Sequence, residues 1–281
     1  MRVLHLLSTA GVSVTLAKYQ AKLGHHVLVL TRERYDPYRF AEAYKQAVKY
    51  VSPDLAATIN LLAVLSSPIY DVIHVHAADE VAYRLKLLNR SSRVILHYHG
   101  SDIRGRWQRR KRLWASADRV LVSTPDLLEG APEGVIYVPN PVDTELFKPL
   151  SPPEERLPKG LLIVKMARRH QFRHIKPIAD RIASRYGIRY DVHFSDLKPI
   201  RYLDMPKVLN QYQYFLDIPH GFTEKDRVVP NALSLTGLQA LACGCKVLTL
   251  NGCLDRLPRQ HMPDTVARKL LRLYDTVINQ G

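Results

Sequence analysis

Short apolar runs of strand length alternate with amphipathic segments along most of the chain. In the first half, residues 2–8, 26–31, 71–76 and 93–99 are such runs, and segments between them repeat apolar residues at helical spacing. Strands that alternate with helices form parallel sheets that are covered on both faces. The sequence therefore predicts an α/β fold, with ligands bound at the carboxyl ends of its strands.

One segment rich in proline and charge interrupts this alternation. Residues 150–160 read LSPPEERLPKG, which is typical of a linker, and a second series of strands and helices follows them. We therefore predict an N-terminal α/β domain over residues 1–149 and a C-terminal α/β domain over residues 161–281.

Two longer segments have helical patterns. Residues 38–67 are predicted to be helical with a break near Pro53. Residues 263–280 carry an apolar stripe from Val266 to Val277 and are predicted to form the final helix.

Length and composition restrict the class of protein. The chain has 281 residues, of which 46% are apolar and 24% charged, as in soluble globular proteins. No apolar run approaches the roughly 18 residues of a membrane span, and the apolar part of the start is too short for a secretory signal. Cys243, Cys245 and Cys253 lack metal-ligand spacing and are predicted to be reduced thiols. These features predict a cytoplasmic protein.

The formal net charge of +15 favours an anionic partner. The densest basic run is RGRWQRRKR at residues 104–112, for which we predict a helix with Trp107 and Trp114 on one face. Such a helix suits an anionic membrane surface, while core-packed tryptophans with solvated charges fit the pattern equally well. Nucleic acid is an unlikely partner, because that interpretation depends on charge alone without a binding motif. The membrane-surface candidates are Arg106, Trp107, Arg109, Arg110, Lys111 and Trp114.

Residues 228–250 combine a helix with a following strand. Pro230 and Asn231 suit a first turn and its cap, and Gly244 suits the left-handed conformation that ends a helix. The first turn, which contains Ser234, has unpaired backbone N–H groups that attract phosphate. A plain crossover helix explains the same pattern, so both interpretations stand at this point.

Several motifs resemble those of the GT-B glycosyltransferases, in the large retaining group known as family 4. The most specific is VPNPVDTELFKP at residues 138–149, which is similar to the Pro-Asn-x-Val-Asp segment that closes the family's first domain. HYHGSD at residues 97–102 resembles the His-Gly-x-Asp element of that family. GHHV at residues 24–27 and QALACG at residues 239–244 resemble its first turn and the end of its donor-binding helix.

The resemblance implies a GT-B fold, with two Rossmann-like domains whose parallel sheets face across a cleft. It implies that the second domain binds a UDP- or GDP-sugar, and that the sugar passes with retention to a lipid-linked or glycan acceptor on the first domain. It also implies that no metal or other cofactor is required and that the final helix crosses back to the first domain. A peripheral position on the cytoplasmic membrane face agrees with the basic run.

The resemblance also assigns site residues. The family places an arginine at a strand end and a lysine five residues later, where fixed cations stabilise the diphosphate leaving group. Arg168 and Arg173 have that spacing, and Arg169 and Lys176 are alternatives. A solvated basic loop without a binding role explains the same residues. The assigned residues are His99 and Asn231 for catalysis; Arg168, Arg173, Ser234, Leu235, Thr236 and Gln239 for the donor; and Gly11, Gly100 and Asp102 for the acceptor side of the cleft.

The donor helix departs from the family pattern at two positions. The family carries two glutamates eight residues apart, and Asn231 and Gln239 stand in their places here. An amide accepts a hydrogen bond from a sugar hydroxyl but carries no charge. Glu224 or Asp226 could supply a compensating carboxylate. We predict an active enzyme with an altered donor, and the alternative is a non-catalytic nucleotide-sugar-binding module.

Two His-x-His pairs raise a different class of function. His74 and His76 end one strand, His97 and His99 end the next, and Asp79 lies nearby. Strand alternation puts each pair on one face, as in zinc-dependent hydrolases. A hydrolase would leave the second domain without a role, so we keep it as the weaker alternative. For His99 itself, backbone partners at a strand end are a further interpretation.

Overall fold

The computed structural model describes residues 1–33, 36–50, 69–88, 91–165, 169–218 and 233–280, and the side chains of 169–171 are not among those described. The chain divides into two compact units, the first formed by Met1–Pro141 with Pro263–Gly281 and the second by Val142–Met262. In chain order the strands are β1 Arg2–Leu6, β2 His26–Thr31, β3 Val48–Tyr50, β4 Val72–His76, β5 Arg93–Tyr98, β6 Arg119–Val122, β7 Ile136–Tyr137, β8 Leu157–Val164, β9 Arg189–Phe194, β10 Tyr212–Leu216, β11 Lys246–Thr249 and β12 Gly252–Leu254. The α-helices are α1 Val12–Lys22, α2 Asp79–Leu88, α3 Lys111–Trp114, α4 Arg169–Tyr186, α5 Met205–Leu209, α6 Leu235–Ala242 and α7 Pro263–Asn279.

The first unit is built on a seven-stranded sheet with the order β3-β2-β1-β4-β5-β6-β7. Every pairing in it is parallel, as the alternation of strands and helices predicted. The strand order reverses between β1 and β4. In doubly wound sheets such a switch point is where the carboxyl ends of the strands leave room for ligands.

The two faces of this sheet differ in chemistry. One face is apolar, and Leu4, Ile73 and Leu96 pack there against α2 through Leu85. On the other face, β1 and β4 lie in a register that sets His5 opposite His74, and β4 and β5 set His76 opposite His97. Because side chains alternate along a strand, this second face is lined with imidazoles.

Helix α7 returns to the first unit. Its buried stripe includes Val266, Leu270, Tyr274 and Val277, and it packs against α1. The ammonium of Lys269 donates to the carbonyl oxygen of Tyr137 at 2.7 Å. The final amphipathic helix therefore buries its apolar face within the unit that the first 141 residues form.

The second unit has a five-stranded sheet in the order β12-β11-β10-β8-β9. Strands β11, β10, β8 and β9 are parallel, and β12 adds an antiparallel edge that the sequence did not indicate. The core contains Leu162, Ala179, Ile182, Leu216 and Leu248, contributed by three strands and by α4.

The boundary between the units differs from the predicted one. The second unit begins at Val142 rather than after residue 149, and β8 begins at Leu157, inside the predicted linker. The physical reason is that residues 142–150 pack on the second unit and form hydrogen bonds with it. Phe147 is buried edge-on to the ring of Tyr202, and the amide oxygen of Asn210 accepts from the backbone N–H of Leu150 at 2.8 Å.

The prediction of a helix over residues 38–67 is wrong for its described part. Phe40–Ala47 is a 3-10 helix with non-helical dihedral angles at Tyr44, and β3 follows it at the edge of the sheet. The carboxylate of Asp36 accepts the backbone N–H groups of Phe40 and Ala41, which fixes a tight turn at the start. The rest of the predicted helix, including Pro53, lies outside the described residues.

The helix predicted over residues 104–112 is also wrong. Gly105 has a φ of 68°, which breaks any helix at that point, and the only α-helical residues in this run belong to α3. Trp107 is buried, donates its indole N–H to the carbonyl oxygen of Leu127 at 3.0 Å, and packs edge-on to Tyr98. The indole N–H of Trp114 donates to the backbone of Trp107 at 2.8 Å. Both tryptophans are thus packed inside the unit, as the alternative interpretation of the run had it.

The charges of this run are divided between solvent and ion pairs, one of which joins Arg104 to Asp126 at 2.6 Å. Arg106, Arg109 and Lys111 are exposed. Arg110 binds the carboxylate of Asp79, which also accepts from the hydroxyl of Tyr98 at 2.7 Å. Among the described residues, no helix is both long and apolar enough to cross a bilayer. The three cysteines are unpaired thiols, with Cys243 and Cys245 buried and Cys253 exposed.

Replacing Trp107 by Ala should lower the free energy of unfolding by about 3–5 kcal/mol, because it removes a large buried ring and leaves a cavity. Urea denaturation of the native and variant proteins measures the change. Arg106→Ala, which removes an exposed neighbour, is the control and should change stability by less than about 0.5 kcal/mol. An unchanged stability for Trp107→Ala, combined with loss of binding to anionic vesicles, would restore the membrane interpretation.

Candidate functional site

Five histidines from three adjacent strands lie together on the α7 side of the first sheet. His5 comes from β1, His74 and His76 from β4, and His97 and His99 from β5 and the residue after it. The rings of His74 and His76 stack with centroids 4.3 Å apart, and those of His97 and His99 lie 4.4 Å apart. The sequence had indicated four of these residues. His5 was missed, because a single histidine inside a buried strand has no spacing signal.

A chain of hydrogen bonds runs through the cluster. His99 Nε2 lies 3.0 Å from His76 Nδ1, and His76 Nε2 lies 3.0 Å from His5 Nδ1. His5 Nε2 lies 2.8 Å from the amide oxygen of Gln20 on α1. Since that oxygen can only accept, neutral rings must all donate in one direction, from His99 through His76 and His5 to Gln20.

Burial keeps these rings uncharged at neutral pH. Loss of water contact lowers the pKa of His5 to about 4, against the opposing effect of its bond to Gln20. Burial likewise lowers the pKa of His99 to about 4, and the nearby charge of Asp102 opposes that shift. The pKa values of His74, His76 and His97 are held well below the usual value, first by burial and then by their neighbouring histidines.

His74 and His97 have ring nitrogens without partners in the described part of the chain. His74 Nδ1 lies 2.5 Å from the hydroxyl of Tyr274 on α7, but its Nε2 makes no hydrogen bond within the described part of the chain. His97 is 1% exposed, and neither of its ring nitrogens is bonded to a described residue. A buried polar group without a partner costs about 1–3 kcal/mol. The unpartnered ring nitrogens of His74 and His97 can therefore bind a further group.

Asp79 does not join the histidines, contrary to the grouping that the sequence suggested. It lies in the first turn of α2, which packs on the apolar face of the sheet, and is occupied by Arg110 and Tyr98. The ion pair between Asp79 and Arg110 is partly buried and balances the charge of the carboxylate.

The predicted acceptor-side residues are built into local structure. Both carboxylate oxygens of Asp102 accept backbone N–H groups, from His99 at 2.8 Å and from Gly100 at 2.6 Å, so the carboxylate shapes the turn after β5. Gly11 precedes α1 with a φ of 78°, and a Cβ atom there would clash with the ring of Phe40. The positive φ and the contact with Phe40 explain why position 11 is a glycine without involving a ligand.

In the second unit, the start of α6 carries the residues predicted to bind a donor. Ser234 is the N-cap, and its hydroxyl accepts the backbone N–H of Gly237 at 2.9 Å. The backbone N–H groups of Leu235 and Thr236 make no hydrogen bond to any described residue. Ser234 thus caps the described helix, and Asn231, where the cap was predicted, lies outside the described residues.

An aspartate that the sequence pattern did not indicate lies at this helix start. Asp217 follows β10, is 4% exposed, and accepts the backbone N–H of Ser234 at 2.8 Å. Its carboxylate packs so closely against Gly237 that a Cβ atom there would overlap it. Burial raises the pKa of Asp217 to about 6, and the hydrogen bonds of Ser234 oppose that shift. A carboxylate thus already occupies part of the anion-attracting end of α6.

The structure describes some of the other residues predicted near the donor and leaves the rest undescribed. Arg173 is exposed on α4, and Gln239 is buried on α6 at 5% exposure. Four predicted positions lie outside the described residues, namely Arg168, Asn231, Glu224 and Asp226.

Comparison with known proteins gives a family match over part of the chain and a fold. Residues 11–146 match the family described as Glycosyltransferase Family 4, and no curated protein matches the sequence. An alpha-glucosyltransferase solved in complex with UDP and a 13-mer DNA containing a central A:G mismatch aligns with a TM-score of 0.60 and 11% identity, over 100% of this chain and 90% of that one.

Two further solved proteins align over nearly the whole chain with lower scores. MurG of Acinetobacter baumannii covers 99% of this chain and 89% of its own, at 14% identity and a TM-score of 0.45. Glycosyltransferase VinC in complex with dTDP covers 100% and 94%, at 12% identity and the same score. The likeness to the alpha-glucosyltransferase confirms the predicted GT-B fold class.

Asp217→Asn should stabilise the protein at neutral pH. With its pKa raised from 3.8 to about 6, the folded state holds a proton that the unfolded state releases between these values. Stability therefore falls as pH rises through that window, by up to about 3 kcal/mol. The amide keeps an acceptor for Ser234 without the charge, so the variant should exceed the native protein above pH 6 and match it below pH 4.

Urea denaturation from pH 4 to 8 measures this difference. Asp204→Asn, at an exposed position of the same unit, is the control and should show no comparable dependence on pH. A loss of stability in Asp217→Asn at pH 7.5 would mean that the ionised carboxylate is needed for the start of α6.

Proposed function

We propose that this GT-B-fold chain, whose residues 11–146 match Glycosyltransferase Family 4, transfers a sugar from a nucleotide-sugar donor to an acceptor with retention of configuration. The observation that carries the proposal is the start of α6. There the backbone N–H groups of Leu235 and Thr236 have no bond to described residues, beside the carboxyl end of β10. This is the position at which parallel α/β sheets bind the phosphates of nucleotides.

The donor is proposed to be a UDP- or GDP-sugar. Its diphosphate gains negative charge as the sugar–oxygen bond breaks, and cations or helix-end N–H groups stabilise that charge without reorganisation. Arg173, exposed on α4 of the same unit, is the described candidate cation, and Arg168 is its proposed partner. With these groups the leaving group is neutralised by the protein alone, so the proposal needs no metal at the donor site.

The proposed chemistry uses amides where the family has carboxylates. In a retaining transfer of this type the leaving phosphate takes up the proton of the acceptor on the same face of the sugar. Asn231 and Gln239 then orient hydroxyl groups of the donor, a task of geometry rather than charge. Glu224 or Asp226 is proposed to restore a carboxylate near the donor. In the first unit, His99 is proposed to contact the transferred sugar.

The acceptor is proposed to bind the first unit near Gly11, Gly100 and Asp102. A lipid-linked acceptor or a glycan fits the family, and the net charge of +15 favours an acceptor that carries phosphate or another anion. Exposed Arg106, Arg109 and Lys111 would attract an anionic membrane surface on the cytoplasmic side through charge. An acceptor panel should also include duplex DNA, which the same charge would attract.

Nucleoside diphosphates should raise the thermal stability of the native protein, because a ligand that binds only the folded state stabilises it by about 2.7 kcal/mol at 100 times its Kd. Arg173→Ala should weaken that binding about tenfold or more, since it removes a charge-assisted partner of phosphate. Arg181→Ala is a matched control, as it removes an exposed arginine from the same helix. Equal affinities for the two variants would place the site elsewhere.

A second candidate function is a nucleotide-sugar-binding module without catalysis. It is favoured by the absence of both motif glutamates at Asn231 and Gln239. Sugar transfer and slow donor hydrolysis, measured across sugar nucleotides, distinguish the two. We expect measurable turnover by the native protein. Tight donor binding without turnover, with turnover restored by Asn231→Glu together with Gln239→Glu, would establish the binding module instead.

A further inference from the structure

Two groups of three histidines in the first unit have the proximity that a metal site requires. One ring nitrogen from each of His5, His74 and His76 lies within 4.8 Å of the others, and the same holds for His76, His97 and His99. The pattern on β4 is His-x-His, and the third ligand of the first group comes from the neighbouring strand. Neither group has a part in the proposed sugar transfer except through His99.

The first group has partners that orient every ring. With His5 Nδ1, His74 Nε2 and His76 Nε2 as ligand atoms, the remaining nitrogens face Gln20 at 2.8 Å, the hydroxyl of Tyr274 at 2.5 Å and His99 at 3.0 Å. Metal-ligating histidines almost always donate the other ring N–H to such a partner, which fixes the tautomer. All three side chains are fully buried.

The second group lacks this support. His97 would be one of its ligands, and neither ring nitrogen of His97 is bonded to a described residue. No hydrogen bond to a described residue therefore fixes its ring in a ligating orientation. In the first group, an ion would satisfy Nε2 of His74, which has no partner in the described part of the chain.

The distances and donor types suit a first-row transition ion. His76 Nε2 and His5 Nδ1 are 3.0 Å apart, close to the roughly 3.4 Å edge of a tetrahedron with metal–nitrogen bonds of about 2.0–2.1 Å. Three imidazoles without a carboxylate select Zn²⁺, Cu²⁺ or Ni²⁺ over Mg²⁺ and Ca²⁺, which prefer oxygen. Three protein ligands leave a fourth position for water.

We propose that His5, His74 and His76 bind one Zn²⁺-class ion within the first unit. The ion joins β1 to β4 directly, and Gln20 and Tyr274 extend the connection to α1 and α7. Since the site is closed to solvent, metal binding accompanies folding and contributes to stability. The site is separate from the donor-binding residues of the second unit, so the proposal does not depend on sugar transfer.

The first test measures metal in the native protein. Protein produced in zinc-supplemented medium and dialysed against metal-free buffer should retain one Zn²⁺ per chain by elemental analysis. Its X-ray absorption should show imidazole nitrogens at about 2.0 Å. Refolding in a strong chelator should lower the melting temperature, and added Zn²⁺ should restore it. Folded native protein with neither bound zinc nor a zinc-dependent melting temperature would overturn the proposal.

Variants then locate the ion. His74→Phe keeps a ring in the stack and should abolish retention of Zn²⁺ and the visible absorption of tetrahedral Co²⁺. Tyr274→Phe removes the hydroxyl that orients His74 and should weaken binding about 10–100-fold. His97→Phe, in the same stack, is the matched control and should bind normally. Loss of metal in His97→Phe with retention in His74→Phe would refute the assigned ligands, and if His74→Phe fails to fold, the absorption spectrum of the native protein decides.

Discussion

The pairing of β1 with β4 is the constraint on which the first unit depends. Its register sets His5 opposite His74 at the point where the strand order reverses. Together with the pairing of β4 and β5, this register places five imidazoles on a face that would ordinarily be apolar. A face of this kind must be covered by elements that carry polar partners, and Gln20 of α1 and Tyr274 of α7 supply them.

This requirement explains why α7 packs where it does. An apolar helix alone would bury the histidine face and leave Nδ1 of His74 without a partner. Tyr274 combines a fully buried ring with a hydroxyl that partners Nδ1 of His74. In the second unit, Asp217 has a comparable role, since its carboxylate satisfies the N–H of Ser234 and requires glycine at position 237.

The sequence predicts the parts of this protein that follow from local pattern. Alternating strands and helices gave the parallel sheets, and the two His-x-His pairs gave four of the five clustered histidines. His5 and Asp217 could not be found in this way, because each acts through a neighbouring element whose register only the folded chain defines. The helix expected around Trp107 failed for a different reason, since a left-handed Gly105 redirects the chain and turns both indoles inward.

The division of the chain has a consequence for its synthesis. Residues 142–262 form a unit of their own, and its two ends are joined where the backbone N–H of Val142 donates to the carbonyl oxygen of His261 at 3.0 Å. A ribosome that releases the chain from the N-terminus completes this inserted unit before α7 emerges. Domains generally fold in order during translation, but here the earlier unit must wait for the last segment. Until then its histidine face lacks the Tyr274 hydroxyl that partners Nδ1 of His74.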